Sequence, residues 1–199
     1  MPSASPQRAL AWQIMSAPHD PHTVTRFLDH LAERDAKAAA FARQLLDAGA
    51  VVRSIWGPVQ MDVWDLQLLR GGMIVRFGIE RGFSDGALVG RADPEARPTL
   101  HPISLVVFTW ARANGIPLPV DDPDRIEVDL STQGIAAVDW MDDGHDDAVE
   151  RVRAAWLEYQ RKRDRLQGRM RGRPTDAELS ALHAAGGAAL EAAAPAPTA

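Results

Sequence analysis

Apolar positions change their period repeatedly along this chain, and each change marks an expected element. Val24, Phe27, Leu28, Leu31, Ala38, Phe41, Ala42 and Leu45 recur at helical spacing. Asp20-Pro21 supplies a helix start and Gly49 a stop, so the pattern predicts one long helix over residues 21–48. Upstream, Ser5-Pro6 predicts a short helix over residues 6–15, inside an N-terminal arm of residues 1–20.

After Gly49 the period falls to two. Val51 to Ile55 reads as a strand. Gln60 to Leu69 alternates with a slip at Val63-Trp64, read as a bulge. Arg70-Gly71-Gly72 is a turn. Met73, Val75, Phe77 and Ile79 then alternate with Ile74, Arg76, Gly78 and Glu80. Gly82 and Gly86 bracket another turn, and Ala87 to Val89 opens a fourth strand. Such short connections allow only antiparallel pairing.

Arg91 to Pro102 reads as a proline-rich loop. Ile103, Val106, Val107 and Trp110 share a helical face that ends at Asn114-Gly115, with a strand as the alternative. Ile126–Leu130 and Ile135–Val138 are short strand candidates around Thr132-Gln133-Gly134. A long helix begins at Asp146, and the capping box Thr175-Asp176-Ala177-Glu178 opens the last helix. Gly186-Gly187 weakens that helix, and Ala192 to Ala199 has the composition of a disordered tail. The expected fold class is α+β: a small antiparallel β-meander packed against several helices, with a C-terminal helical extension. The expected organisation is an arm over 1–20, a single α+β domain over 21–170, and a C-terminal helix and disordered tail over 171–199.

Charge adds a feature that periodicity does not. Between Asp121 and Glu150 stand eleven acids and one base, a local charge of −10, while Arg151 to Arg173 carries nine bases against two acids, a local charge of +7. Adjacent blocks of opposite sign can steer charged partners. Cysteine is absent, which excludes disulfides, thiolate metal sites and a cysteine nucleophile and suits a reducing cytoplasm. No signal peptide and no membrane span is expected. Twenty of the bases are arginines and only Lys37 and Lys162 are lysines. With abundant alanine, that is the composition expected of a GC-rich bacterial genome of actinobacterial type.

Each candidate chemistry has a plainer competitor. Gly82-Phe83-Ser84-Asp85-Gly86 matches the nucleophile elbow, whose serine sits on a strained strand-to-helix turn. Gly90, Pro94 and Pro98 forbid the helix it needs, so a glycine-flanked turn is expected. Asp139, Asp143, Gly144, Asp147 and Glu150 partly match a calcium loop, but Met141 stands where a ligand belongs. An acid-rich helix start accounts for the same residues. His19-Asp20-Pro21-His22 offers two imidazoles with no third ligand nearby in sequence, so no metal and no cofactor is expected. Arg171-Gly172-Arg173-Pro174 resembles the core of a minor-groove AT-hook, or a solvated linker. Val149, Val152, Trp156, Tyr159, Leu166 and Met170 form a heptad seam, with Arg163 in its one vacant place. That seam reads as an amphipathic helix packed on the chain's own sheet, or as a dimer contact. Tryptophans at 12, 56, 64, 110, 140 and 156 serve as core or as interface anchors.

The stretch Met73-Ile-Val-Arg-Phe-Gly-Ile-Glu-Arg-Gly82, entered by a glycine turn and preceded by a helix and a strand, resembles bacterial immunity proteins of polymorphic toxin systems over residues 21–115. That resemblance implies an α+β domain that neutralises a toxin, and acid-rich faces are common where the toxin is a basic nuclease. The resulting expectation is a non-enzymatic, cytoplasmic protein-binding module, a monomer or weak dimer. Its basic partner, such as a secreted toxin domain, would meet Trp140, Asp142, Asp143, Asp146 and Asp147. The alternatives are a nucleic-acid-associated factor using Arg161, Lys162, Arg163, Arg171 and Arg173, or a self-associating phage or assembly component. A hydrolase built on Ser84 stands last.

Overall fold

In the computed structural model, residues 20–59, 61–93, 98–168 and 173–197 are described, so the arm helix expected over 6–15 lies outside them. The helical pattern of residues 21–48 is realised as two helices, α1 (Pro21–Ala32) and α2 (Ala36–Asp47), not one. Asp35 makes the break. Its carboxylate accepts from the Ala38 amide at 2.9 Å, and its own amide turns back to the Leu31 carbonyl at 2.7 Å. That is an N-cap inside the expected helix, and it satisfies donors that a helix start leaves orphaned.

Four strands follow: β1 (Val51–Val59), β2 (Val63–Arg70), β3 (Met73–Glu80) and β4 (Phe83–Arg91). They pair in order as an antiparallel meander. The slip at Val63-Trp64 coincides with a register shift on the β1 side, between the pairs Trp56↔Asp65 and Val59↔Val63, while β2 pairs with β3 without interruption from Trp64↔Ile79 to Arg70↔Met73. Met61 belongs instead to the turn before β2, where Met61 and Asp62 have φ of 68° and 56°. The register shifts fall on the β1 side of β2 and within β4.

α1 and α2 cover one face of this meander. Phe27 meets Trp64 at 5.8 Å between ring centroids, and Phe41 meets Phe77 at 6.2 Å. Leu31, Leu45, Leu66, Leu68, Val75 and Ile79 fill the space between them, fully buried. Alternation alone therefore selected the face: Trp64, Leu66 and Leu68 lie inward while Asp65 and Gln67 lie outward.

The chain divides into two compact units, residues 1–100 and 101–199, where sequence had suggested one body over 21–170. The second unit opens with the extended pair His101–Pro102, β5, and is otherwise helical: α3 (Ile103–Ala113), α4 (Leu130–Asp142), α5 (Asp146–Gln167) and α6 (Asp176–Ala193). The short strand pair expected over 126–138 is corrected to helix α4. Asp129 caps it through the Ser131 amide, and Gly134, Ala137, Val138 and Met141 form its buried face. β-Branched residues had suggested strands, but that three- and four-residue spacing is helical.

The heptad seam is internal, and its partners are helices. Val152 packs with Leu105 and Phe108 of α3, Leu190 of α6 and Ile126, and half-buried Trp156 completes the cluster. The part of the seam that holds Val152 and Trp156 thus packs within the second unit, on α3, whose surface is apolar almost all round. Leu166 is half-buried, and Met170 lies outside the described residues. The capping box at Thr175 forms as expected, with both reciprocal bonds present. Gly186 and Gly187, read as a weakness, are packing residues. A Cβ on Gly186 would stand 2.5 Å from the Tyr159 ring, and one on Gly187 would stand 2.6 Å from the Val120 carbonyl oxygen. The helix continues through Ala193, and Ala193 and Ala194 pack on the core, so the expected disordered tail does not begin at Ala192.

Tyr159 is the chain's single tyrosine. Burial raises its phenol above the ordinary value, and the nearby Asp124 and Asp122 carboxylates raise it further. A raised folded value means the neutral phenol stabilises the fold below the unfolded pKa of about 10 and ceases to do so as pH climbs through the folded value. Phenolate absorbance is therefore expected to stay flat through about pH 10 and to rise only with alkaline unfolding. A reversible titration near the ordinary value in the folded chain would contradict this burial.

Candidate functional site

The acidic block is not one surface. Asp124 accepts hydrogen bonds from Tyr159, at 3.2 Å, and from Gln160 and Arg163. Asp122 accepts from the Asp124 amide at 2.9 Å and faces Tyr159 and His183, while Asp129 caps α4. Asp122 and Asp124 fold back on the basic helix and neutralise part of it. The α4–α5 turn stays outside. Asp142 ends α4, Asp143 is its exposed C-cap, and Asp146 and Asp147 open α5, where the helix dipole favours them. Trp140 is half-buried there, stacked on His145 at 4.3 Å and 11°, with its carbonyl hydrogen-bonded to His145 Nδ1 at 2.7 Å. The five residues expected to meet a partner do come together.

The twelve-residue calcium loop does not exist. Asp139 lies inside α4, and Asp147 and Glu150 lie inside α5, which leaves only Asp143 to His145 between the helices. Among the described residues no group of three or more His, Asp or Glu is placed to hold a metal. Asp20 of the His19–His22 cluster caps α1 through the His22 amide, and His19 lies outside the described residues.

The basic residues proposed for nucleic acid are dispersed. Arg161 and Lys162 are exposed and pair with Glu158 at 3.5 and 3.8 Å. Arg163, the seam's vacant place, is turned inward to Asp124, and it also pairs with Asp164 at 3.1 Å. Arg173 is exposed just before α6, and Arg171 lies outside the described residues.

Ser84 is no elbow. Arg81 and Gly82 form a two-residue hairpin turn, both with positive φ, and Ser84 lies in β4. That geometry matches the primed turns that suit a hairpin's twist. Gly86, at φ 70°, sits in the irregular step between the pairs Ile79↔Ser84 and Phe77↔Ala87. The Ser84 hydroxyl accepts from the Gly86 amide at 3.0 Å and donates to Asp35 at 3.3 Å. It fastens the sheet to the α2 cap. The Glu80-Arg81-Gly82 motif that carried the family resemblance is the same hairpin turn.

Two features of the first unit escaped sequence reasoning. Among the described residues, the exposed large hydrophobics lie in β1, in the turn that follows it, and at the start of β4: Val51, Trp56 and Val59, then Met61, then Phe83. Trp56 is 55% exposed and Phe83 77%. Cross-strand partners share a face, and Trp56↔Asp65, Val59↔Val63 and Phe83↔Glu80 all lie opposite the helices. Arg76 stands among them, paired with Asp65 and lying 3.9 Å from Asp85. The turns at 61–62 and 81–82 are tied by a 3.1 Å bond from the Arg81 amide to the Met61 carbonyl. One end of the sheet thus shows apolar side chains around a charged group.

The second feature is a cleft of about 330 Å³ between α1 and the turn before β2, with Arg26, His30, Pro58, Asp62 and Trp64 among its walls. Arg34 donates to His30 Nδ1 at 3.0 Å, so Nε2 carries the proton and donates to Asp62 at 2.6 Å. Arg34 also reaches Asp62 at 3.0 Å. Burial opposes the charge on Asp62, but the bond from His30 and the Arg34 guanidinium outweigh it and hold the carboxyl below its ordinary range. Both ring nitrogens of His30 are occupied, which removes it as a ready general base. Comparison of the chain with family models, curated proteins and solved structures finds no match.

Proposed function

We propose that this chain is a non-catalytic protein-binding module whose docking surface is the open end of the first unit's sheet. The observation that carries the reading is the gathering of Trp56, Val59 and Phe83 on one sheet face around the Asp65–Arg76 pair. Large apolar side chains exposed singly need no explanation, but several exposed on one face mark an interaction surface. Tryptophan beside arginine is also the composition of interface hot spots. The acidic α4–α5 turn takes the lesser part, steering a basic partner without anchoring it. The immunity-like expectation is carried forward in this form: a protein that neutralises a toxin by docking, without chemistry of its own.

The experiment is site-specific photo-crosslinking in cells producing the chain, with a benzophenone amino acid at position 56, 83 or 143. Adducts to one protein are expected from 56 and 83 and none from 143. With that partner purified, Trp56→Ala is expected to weaken binding about 30-fold, the effect of a hot-spot truncation. Charge reversal at Asp143 and Asp147 should change mainly the association rate. Adducts from 143 alone, or binding untouched by Trp56→Ala, would move the surface to the acidic turn.

A further inference from the structure

The cleft between α1 and the turn before β2 holds one cation that none of its acids engages. Its three acids are all engaged: Asp62 by His30 and Arg34, Glu33 by Arg34 at 3.3 Å, and Asp29 by Arg43 at 2.9 Å. Arg26 differs. Its guanidinium lies over the Trp64 ring at 5.2 Å, and among the described residues no carboxylate stands within ion-pair distance of it. The stacking holds the planar group in place while its N–H edges stay open. A pre-oriented guanidinium of this kind suits bidentate recognition of a carboxylate.

We propose that this cleft receives a single carboxylate from an extended, otherwise apolar peptide segment of the protein partner. The inference rests on the docking surface proposed above and deepens it. The carboxylate side chain pairs with Arg26 beside Pro58 and Trp64, while flanking apolar residues lie on Val59 and Met61, both exposed and adjacent in chain to cleft residues. Volume and charge both narrow the ligand. A space of about 330 Å³ is at the small end of ligand sites and takes a side chain or two. Asp29 and Glu33 at the cleft repel a polyanion, so a nucleic-acid backbone is a poor occupant, and the one open guanidinium, Arg26, matches a single negative charge. The turn is built for the task. Met61 and Asp62 both hold left-handed φ, a costly conformation, and two side-chain bonds, one from His30 and one from Arg34, fix Asp62 in it.

The test is selection of peptides from a random displayed library on the immobilised full-length chain, followed by fluorescence anisotropy with the enriched peptides. Enriched sequences are expected to place Asp or Glu beside large apolar residues. Replacing that acid by its amide, or making Arg26→Gln, should weaken binding at least about tenfold, and the two changes together should cost little more than either. Arg26→Glu with a lysine in place of the peptide's acid should recover binding. Enrichment without acids, no enrichment, or affinity indifferent to Arg26→Gln would overturn the inference. Peptides that bind through Trp56 but not Arg26 would leave the docking surface standing and remove only the carboxylate site. Loss of the crosslinks at 56 and 83 would remove the surface itself.

Discussion

Tyr159→Ala is expected to lower the stability of the second unit by about 3–5 kcal/mol, the cost of truncating a large aromatic in a core. The ring is buried between α5 and α6, in edge contact with His183 at 6.1 Å between centroids, and Gly186 lies against it. Its hydroxyl donates to Asp124, the carboxylate that also holds Gln160 and Arg163. Tyr159→Phe separates the two contributions. It keeps the packing and removes one hydrogen bond, for a loss of about 1 kcal/mol. Urea unfolding followed by circular dichroism measures both. A loss under about 1 kcal/mol for Tyr159→Ala would mean that the α5–α6 contact is not the core described here.

The second expectation concerns the glycine that faces this ring. Helix propensity alone predicts that Gly186→Ala stabilises α6 by about 1 kcal/mol. The packing predicts the opposite sign. An added Cβ would stand 2.5 Å from the Tyr159 ring and 2.9 Å from Pro123, both part of the buried interior, so neither can move aside cheaply. Overpacking of this kind costs about 1–3 kcal/mol. Gly186→Ala should therefore destabilise the wild type yet become neutral or stabilising in the Tyr159→Ala background, where the ring is gone. The double-mutant cycle gives the coupling directly. Stabilisation in both backgrounds would show that propensity governs the position.

What the sequence disclosed, and what it concealed, follows from how far each signal reaches. The meander, α3, α5 and the Thr175 capping box rest on contacts a few residues long, and these were legible. The break at Asp35 was hidden because Leu31 and Ala38 are seven apart and keep the same helical face across it. The Asp35 cap was the available signal. α4 was hidden by β-branched residues and by Gly134, although Asp129 offered the same kind of cap. The unit boundary falls within the proline-rich loop read over 91–102, a place where such boundaries commonly lie. The loop was readable, but its role was not. Exposure of Trp56 and Phe83 depends on which strands pair and which face the helices cover, and the cleft joins residues about 30 apart in the chain. No local period encodes either.

The folding-back of Asp122 and Asp124 onto α5 also bears on the chain before it folds. The acidic and basic blocks are adjacent in sequence, so the attraction that ends in the Asp124–Arg163 pair already acts in the denatured ensemble. Unfolded chains keep such residual compaction, and it sets the reference against which stability is measured. At low salt the denatured second unit is drawn together and exposes less new surface on unfolding. Added salt screens the attraction and lets it expand. The steepness of urea unfolding, which scales with that exposed surface, thus carries a salt dependence that originates in the unfolded chain.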